Sequence, residues 1–200
     1  MILALDIGNT NVVLGCIADG EILFTERMAT DSGKTELDYA ISLKMVLELR
    51  EIKVSEITGA IIGSVVPPVT SLMREAIRKV TGQVVNVDMN IGLEVLMDNP
   101  SSVGTDLIVG AVAGINRYPV PLILIDMGTA TTICVVNENK QYIGGMILPG
   151  IGVSMNSLTS RTAQLPRISL DPPKRLIGKN TVECMQSGAL YGNASCIDGM

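Results

Sequence analysis

Apolar positions fall in short, evenly spaced blocks. Residues 2–5 form a buried-strand block, and residues 11–17 and 21–28 are β-rich runs on either side of Asp19-Gly20, a two-residue hairpin signal. Thr35-Glu-Leu-Asp38 has the pattern of a helix cap, and the helix it opens runs to about Arg50 with Leu37, Ile41, Met45 and Leu49 at i, i+4 spacing. Residues 60–66 read as an apolar strand. Pro67-Pro68 opens the next helix, where a missing N–H has no partner to lose, and that helix ends near Thr81-Gly82 before residues 84–87 return as a strand. Asn99-Pro100-Ser-Ser-Val-Gly104 is a loop, followed by a mostly apolar helix over residues 106–115. Tyr118-Pro119-Val-Pro121 stops it and stiffens the connection, which places a joint between a first domain, 1–118, and a second, 119–200.

After that joint the pattern starts over. A shift of 120 positions lays Leu3-Ala-Leu-Asp6-Ile-Gly8-Asn9-Thr10-Asn11 on Ile123-Leu-Ile-Asp126-Met-Gly128-Thr129-Ala-Thr131. Each copy gives an apolar strand, Asp-x-Gly, a β-rich return strand, a polar turn (Asp19-Gly20 or Asn137-Glu-Asn139) and a third strand. One Asp-x-Gly is an ordinary strand-ending turn; two in matching contexts indicate a duplicated α/β fold. Gly144-Gly145 and Pro149-Gly150 then read as a tight crossing and turn before a helix at 153–162, and Asp171-Pro-Pro-Lys-Arg175 as a rigid exposed loop.

Composition narrows the chemistry. With one Phe, no Trp and 47% hydrophobic residues, the core is aliphatic. The absence of His removes every Ser-His or Cys-His pair and leaves acid–base work to carboxylates or lysines. A net charge of −5 argues against a nucleic-acid or anionic-membrane partner. Cys16, Cys134, Cys184 and Cys196 are isolated, as expected of reduced core thiols. The first residues lack a basic signal-peptide region, and no apolar run approaches the ~20 residues of a membrane span, so a cytoplasmic protein is expected.

In each hairpin the Asp sits where a buried strand runs out. The glycine two residues on is expected to take a positive φ and turn its N–H towards an anion, beside neutral donors at Asn9, Thr10, Thr129 and Thr131. Two facing hairpins of this kind suit a polyphosphate with a magnesium ion held by carboxylate. Asp106, at the start of its helix, is a carboxylate favoured by the helix dipole and fit to orient an attacking hydroxyl; the same position also suits a plain helix N-cap.

These motifs resemble the actin-like ATPase superfamily, of ribonuclease H-like duplicated domains with mixed sheets, and within it the type III pantothenate kinases. The resemblance covers essentially the whole chain and rests on Asp6-Ile-Gly-Asn-Thr-Asn11, Asn99-Pro100, Gly104-Thr-Asp106, Asp126-Met-Gly-Thr-Ala-Thr-Thr132, Gly144-Gly145…Pro149-Gly150, Thr162-Ala-Gln-Leu-Pro166 and Gly178-Lys-Asn-Thr181…Gln186-Ser-Gly188. It implies ATP-dependent phosphorylation of pantothenate. ATP would be bound by Asp6, Ile7, Gly8, Asn9, Thr10, Asn11, Val12, Val13 and Thr129. Asp106 would be the general base, with Gly104, Thr105, Leu107, Met97 and Thr181 at pantothenate. Asp126 would hold a monovalent cation, K+ or NH4+, and Asp6 magnesium, in a homodimer. The chain departs from the family pattern at Leu107 (Arg), Gly110 (Asn), Met97 (aromatic) and Cys134 (Asp). Those departures keep open an impaired kinase, a non-catalytic nucleotide-binding paralogue, or a kinase for another small molecule. Family members also continue past the helix near Asn180, so the second domain is expected to be incomplete and to leave apolar sheet surface bare.

Overall fold

The computed structural model describes residues 1–83 and 92–200, together with the backbone of 85–86. The first sheet has the order β3-β2-β1-β4-β5, built from β1 (Ile2–Ile7), β2 (Asn11–Ala18), β3 (Glu21–Ala29), β4 (Gly59–Ser64) and β5 (Val85–Asn86). β1 runs antiparallel to β2 and parallel to β4. Of the strand expected at 84–87, positions 84 and 87 lie outside the described residues.

Alternation along β1 puts Leu3, Leu5 and Ile7 on one face, and all three are buried. Helices α1 (Glu36–Leu49) and α2 (Pro67–Thr81) supply Tyr39, Leu43, Leu47, Val69, Met73 and Ile77 to the same core. The α1 stripe expected from spacing is not the buried one: Leu37, Ile41, Met45 and Leu49 are 51–77% exposed, whereas Tyr39, Ala40, Leu43 and Leu47 face inward. Both stripes fit a 3.6-residue period, and Tyr39 decides between them. Its hydroxyl donates to the Asp31 carbonyl (2.8 Å) and accepts from the Asp31 N–H (3.0 Å), so it enters the core with its polar end satisfied.

The second sheet has the order β6-β9-β8-β7, from β6 (Glu94–Val95), β7 (Leu122–Met127), β8 (Ala130–Val136) and β9 (Gln141–Pro149). β6, two residues long, carries no readable alternation and was not anticipated from pattern; it pairs in parallel with Gln141 and Tyr142. Helices α3 (Thr105–Arg117), α4 (Ile151–Arg161) and α5 (Thr181–Asp198) complete the chain. Gly145 lets β9 approach β8 closely: a Cβ there would lie 2.2 Å from the Ile133 carbonyl oxygen.

Packing divides the chain into two compact units, Met1–Leu122 with Val136–Ile143, and Ile123–Val135 with Gly144–Met200. In the second, Met155, Met185 and Ala189 form a small core with Ile151, Leu165 and Ile168. Cys16 and Cys134 are buried as expected, but Cys184 is exposed and Cys196 half-buried. Burial pushes the Cys16 thiol up from its ordinary range, which keeps it inert.

Candidate active site

In the first unit, Asp6 is the last-but-one residue of β1 and is exposed at the carboxyl end of that strand. It lies in register with Val13 on β2 and Gly63 on β4. The turn after it is held from inside. The Gly8 N–H donates to the Asn11 carbonyl (3.0 Å), the Thr30 hydroxyl donates to the Gly8 carbonyl (2.7 Å), and the Thr30 N–H donates to the Thr10 carbonyl (3.0 Å). Asn9 and Thr10 are thereby left exposed at the tip, while the side chains of Ile7 and Val12 belong to the core.

This corrects one expectation. Gly8 and Gly128 do not adopt positive φ, and their N–H groups do not face outward. Both close their own hairpins, Gly8 onto Asn11 and Gly128 onto the Ala130 carbonyl (3.0 Å). A glycine that must donate across a tight turn is not available to an anion.

The start of α3 is seated beside the same edge. The Thr105 hydroxyl donates to the Ser64 carbonyl at the end of β4 (3.4 Å), and a Cβ on Gly63 would meet the Thr105 methyl at 3.8 Å. The Val65 N–H donates to the Ile7 carbonyl (3.1 Å), tying the β4 exit to the β1 exit. The start of α3, which carries Asp106, therefore sits at the β4 exit, next to the strand that carries Asp6, at the sheet edge where α/β folds gather ligands. The N-cap of α3 is Gly104, not Asp106. Asp106 is exposed two residues further in, with one carboxylate oxygen accepting the Leu107 N–H (2.9 Å). A Cβ at Gly104 would lie 2.5 Å from that oxygen, so glycine there leaves room for the carboxylate. Leu107 is half-buried, and Met97 is 36% exposed.

In the second unit, Asp126 and Thr129 are exposed around the second turn. Gly150, the N-cap of α4, is pressed against this turn: its N–H donates to the Thr129 carbonyl (3.0 Å), and a Cβ there would fall 2.2 Å from the Gly128 carbonyl oxygen. This close approach was legible from Pro149-Gly150 only as a turn. Thr131, expected beside the loop, is buried at 4% with its hydroxyl unpartnered, so it belongs to the interior. Thr181 opens α5 and lines an apolar groove of about 370 Å³ with Met155, Leu158, Leu165, Cys184 and Met185. Asn180 caps α5 by accepting the Glu183 N–H (2.9 Å). The buried Gln186 and Ser187 donate to the Ser169 and Leu176 carbonyls, which fastens the preceding loop, exposed over Asp171 and Pro172 as expected, to the helix.

Known proteins resemble this chain over its length. A family model described as type III pantothenate kinase matches residues 2–200. A Bacillus cytotoxicus protein named type III pantothenate kinase is 46% identical over 203 residues, covering 100% of this chain and 78% of its own. A solved Campylobacter jejuni structure, described as a Baf family transcriptional activator, superposes with a TM-score of 0.56 at 18% identity, over 98% of this chain and 78% of that one. A Sinorhizobium meliloti structure, described as a 2-dehydro-3-deoxygalactonokinase, gives 0.54 at 12% identity, over 100% and 82%. At such identities the two structures speak for the fold alone, which this chain shares with them.

Proposed function

The chain belongs to the type III pantothenate kinase family, and we propose that its phosphoryl transfer takes place at the strand edge shared by Asp6 and Asp106. The chain is a kinase that uses ATP and a divalent metal to phosphorylate pantothenate to 4′-phosphopantothenate, the first step of coenzyme A biosynthesis. The observation that carries the assignment of the site is the seating of the α3 start on the β4 exit, next to the strand that ends in Asp6.

Phosphoryl transfer asks the protein mainly for positioning and charge neutralisation, with one carboxylate to orient the attacking hydroxyl. The loop over residues 6–13 grips the ATP phosphates, through backbone at Ile7 and Val12 and through side chains at Asn9 and Thr10; Thr129 contributes from the second hairpin. Asp106 takes the proton of the pantothenate 4′-hydroxyl as its oxygen attacks the γ-phosphorus. Gly104, Thr105, Leu107 and Met97 surround the acceptor, and Thr181 contacts it.

The donor set fits the metals. Asp6 is an exposed hard-oxygen donor, and among the described residues no group of three or more acidic, His or Cys side chains forms a cage. Magnesium suits one or two carboxylates completed by phosphate oxygens, and when bound it neutralises the triphosphate. Asp126 offers a comparable oxygen donor for K+ or NH4+. On this reading the phosphate loop lies in a domain of residues 1–118, Asp126 and Thr181 in a domain of residues 119–200, and the enzyme works as a cytoplasmic homodimer. Among the described residues no helix is long and apolar enough to cross a membrane.

The test is ADP release driven by pantothenate, with and without potassium. Asp106→Asn is expected to lower kcat by about 10²–10⁴-fold, the usual worth of a general base, with the unfolding midpoint little changed. Turnover at the wild-type rate in that variant rejects Asp106 as the base.

A further inference from the structure

One residue backs the turn of the first hairpin. Thr30 directly follows β3 and is half-buried. Its hydroxyl donates to the Gly8 carbonyl (2.7 Å) and its N–H donates to the Thr10 carbonyl (3.0 Å), so it grips the turn on both sides of Asn9. Thr30 is itself held in place. The Asp31 backbone beside it exchanges hydrogen bonds with the hydroxyl of Tyr39, which is fully buried in the core of this unit.

The second hairpin is backed at the equivalent place. Gly150 lies 120 positions beyond Thr30, the shift that relates the two motifs, and directly follows β9. Its N–H donates to the Thr129 carbonyl (3.0 Å), and a Cβ there would fall 2.2 Å from the carbonyl oxygen of Gly128, the counterpart of Gly8. In both copies, then, the residue after the third strand meets the same carbonyl. The first copy does this with a hydroxyl and the second with backbone alone.

Peptide geometry gives the consequence for the loop. The bond joining Gly8 and Asn9 is trans, so its C=O and N–H point to opposite sides. With the carbonyl drawn to Thr30, the Asn9 N–H faces away from the β3 exit. Asn9 is exposed, and among the described residues no group accepts that N–H. An anion is held by outward N–H dipoles and repelled by outward carbonyl oxygens. Glycine at position 8 leaves the orientation of this peptide weakly determined, and the Thr30 hydroxyl fixes it.

We propose that Thr30 is a positioning residue for the nucleotide: by taking the carbonyls on either side of Asn9, it holds the Asn9 N–H outward as a donor to an ATP phosphate. This assignment rests on the loop over residues 6–13 holding ATP.

The experiment compares wild type with Thr30→Val, which keeps the shape and removes the hydroxyl, and with Thr30→Ser, which keeps the hydroxyl. Calorimetric titration with the magnesium complex of a non-hydrolysable ATP analogue gives the affinity, and steady-state kinetics gives KM for each substrate. Thr30→Val is expected to weaken the analogue and raise KM for ATP by about five- to tenfold, the usual effect of a lost hydrogen bond, with KM for pantothenate changed less than about twofold. Thr30→Ser is expected to bring both nucleotide values back near wild type. Unchanged affinity for the analogue in Thr30→Val overturns the proposal, as does an equal rise in both KM values, which a general loosening of the fold would give. A second measurement needs no variant: in wild type the Asn9 amide proton resonance is expected to move downfield as the analogue binds, and a resonance that stays in place also overturns the proposal. Failure of the underlying reading looks different. Asp6→Asn, like Thr30→Val, would then bind the magnesium complex as tightly as wild type, whereas a weakened Asp6→Asn beside an unaffected Thr30→Val rejects the role of Thr30 alone.

Discussion

The two hairpins share a motif and part company in what covers them. Leu3, Leu5 and Ile7 on β1 are 0%, 3% and 0% exposed; their counterparts 120 positions on, Ile123, Ile125 and Met127 on β7, are 62%, 45% and 53% exposed. Both copies form a strand, end in Asp-x-Gly and close the turn through the glycine N–H. The first face is sealed by α1 and α2, which bring Tyr39, Leu43, Leu47, Val69 and Met73 onto it. On β9, Ile143 and Ile147 are likewise open, at 45% and 74%. The motif thus specifies backbone geometry and the place of the carboxylate. Burial comes from whichever element lies on the face.

A paired truncation breaks this comparison if it is wrong. Leu5→Ala removes a fully packed side chain and is expected to cost about 2–5 kcal/mol in denaturant unfolding, as large-to-small changes in cores do. Ile125→Ala, at the equivalent position, is expected to cost less than about 1 kcal/mol, because much of its side chain already meets water. Equal losses at the two sites would mean that β7 is covered in solution.

Much of this arrangement was open to reading beforehand, for a physical reason. Strand, turn and helix starts are written in local residue chemistry: Asp19-Gly20 closes the first hairpin, Pro67-Pro68 opens α2, and Thr35-Glu-Leu-Asp38 caps α1. The duplicated Asp-x-Gly gave both loops their place in the fold because a repeat of chemistry in a repeat of context has few other causes. What was not legible depends on contacts distant in sequence. Periodicity alone could not choose between the two apolar stripes of α1; the mutual hydrogen bonds of Tyr39 and Asp31 did. The inward bonding of Gly8 and Gly128 and the burial of Thr131 follow from how each hairpin closes, which residue types do not disclose. The seating of Thr105 on Ser64, which brings Asp106 to the edge bearing Asp6, joins residues 41 positions apart.

Two helices, one from each unit, differ in how they start. α1 has a full capping box, in which the Asp38 N–H donates to the Thr35 hydroxyl oxygen and the Thr35 N–H donates to the Asp38 carboxylate. α4 begins at Gly150 with no side-chain cap. Thr35→Ala is expected to lower stability by about 1 kcal/mol and to loosen the covered face, read as faster amide exchange in α1. Exchange in α4 is expected to stay unchanged.

The smallest effect is the dependence of this cap on pH. The Thr35 hydroxyl and N–H donate to the Asp38 carboxylate, the hydroxyl having the larger influence, and hold its pKa below the ordinary aspartate range. Glu36 is lowered in the same sense, chiefly by its hydrogen bond from Lys79 on α2. A carboxyl whose pKa is lower folded than unfolded binds fewer protons in the native state. Its contribution is therefore complete above the unfolded value and disappears as pH falls through the folded one. Both groups are exposed, so the effect is small and is further reduced by salt. Thermal unfolding of wild type and Asp38→Asn across an acid titration is expected to show the largest difference near neutral pH and convergence below the depressed value. At Gly150 there is no side chain to titrate, so the start of α4 gives the profile no matching limb. A difference between the two proteins that stays constant down the titration would show that Asp38 does not act through its charge, and that the contrast between capped α1 and uncapped α4 is one of shape alone.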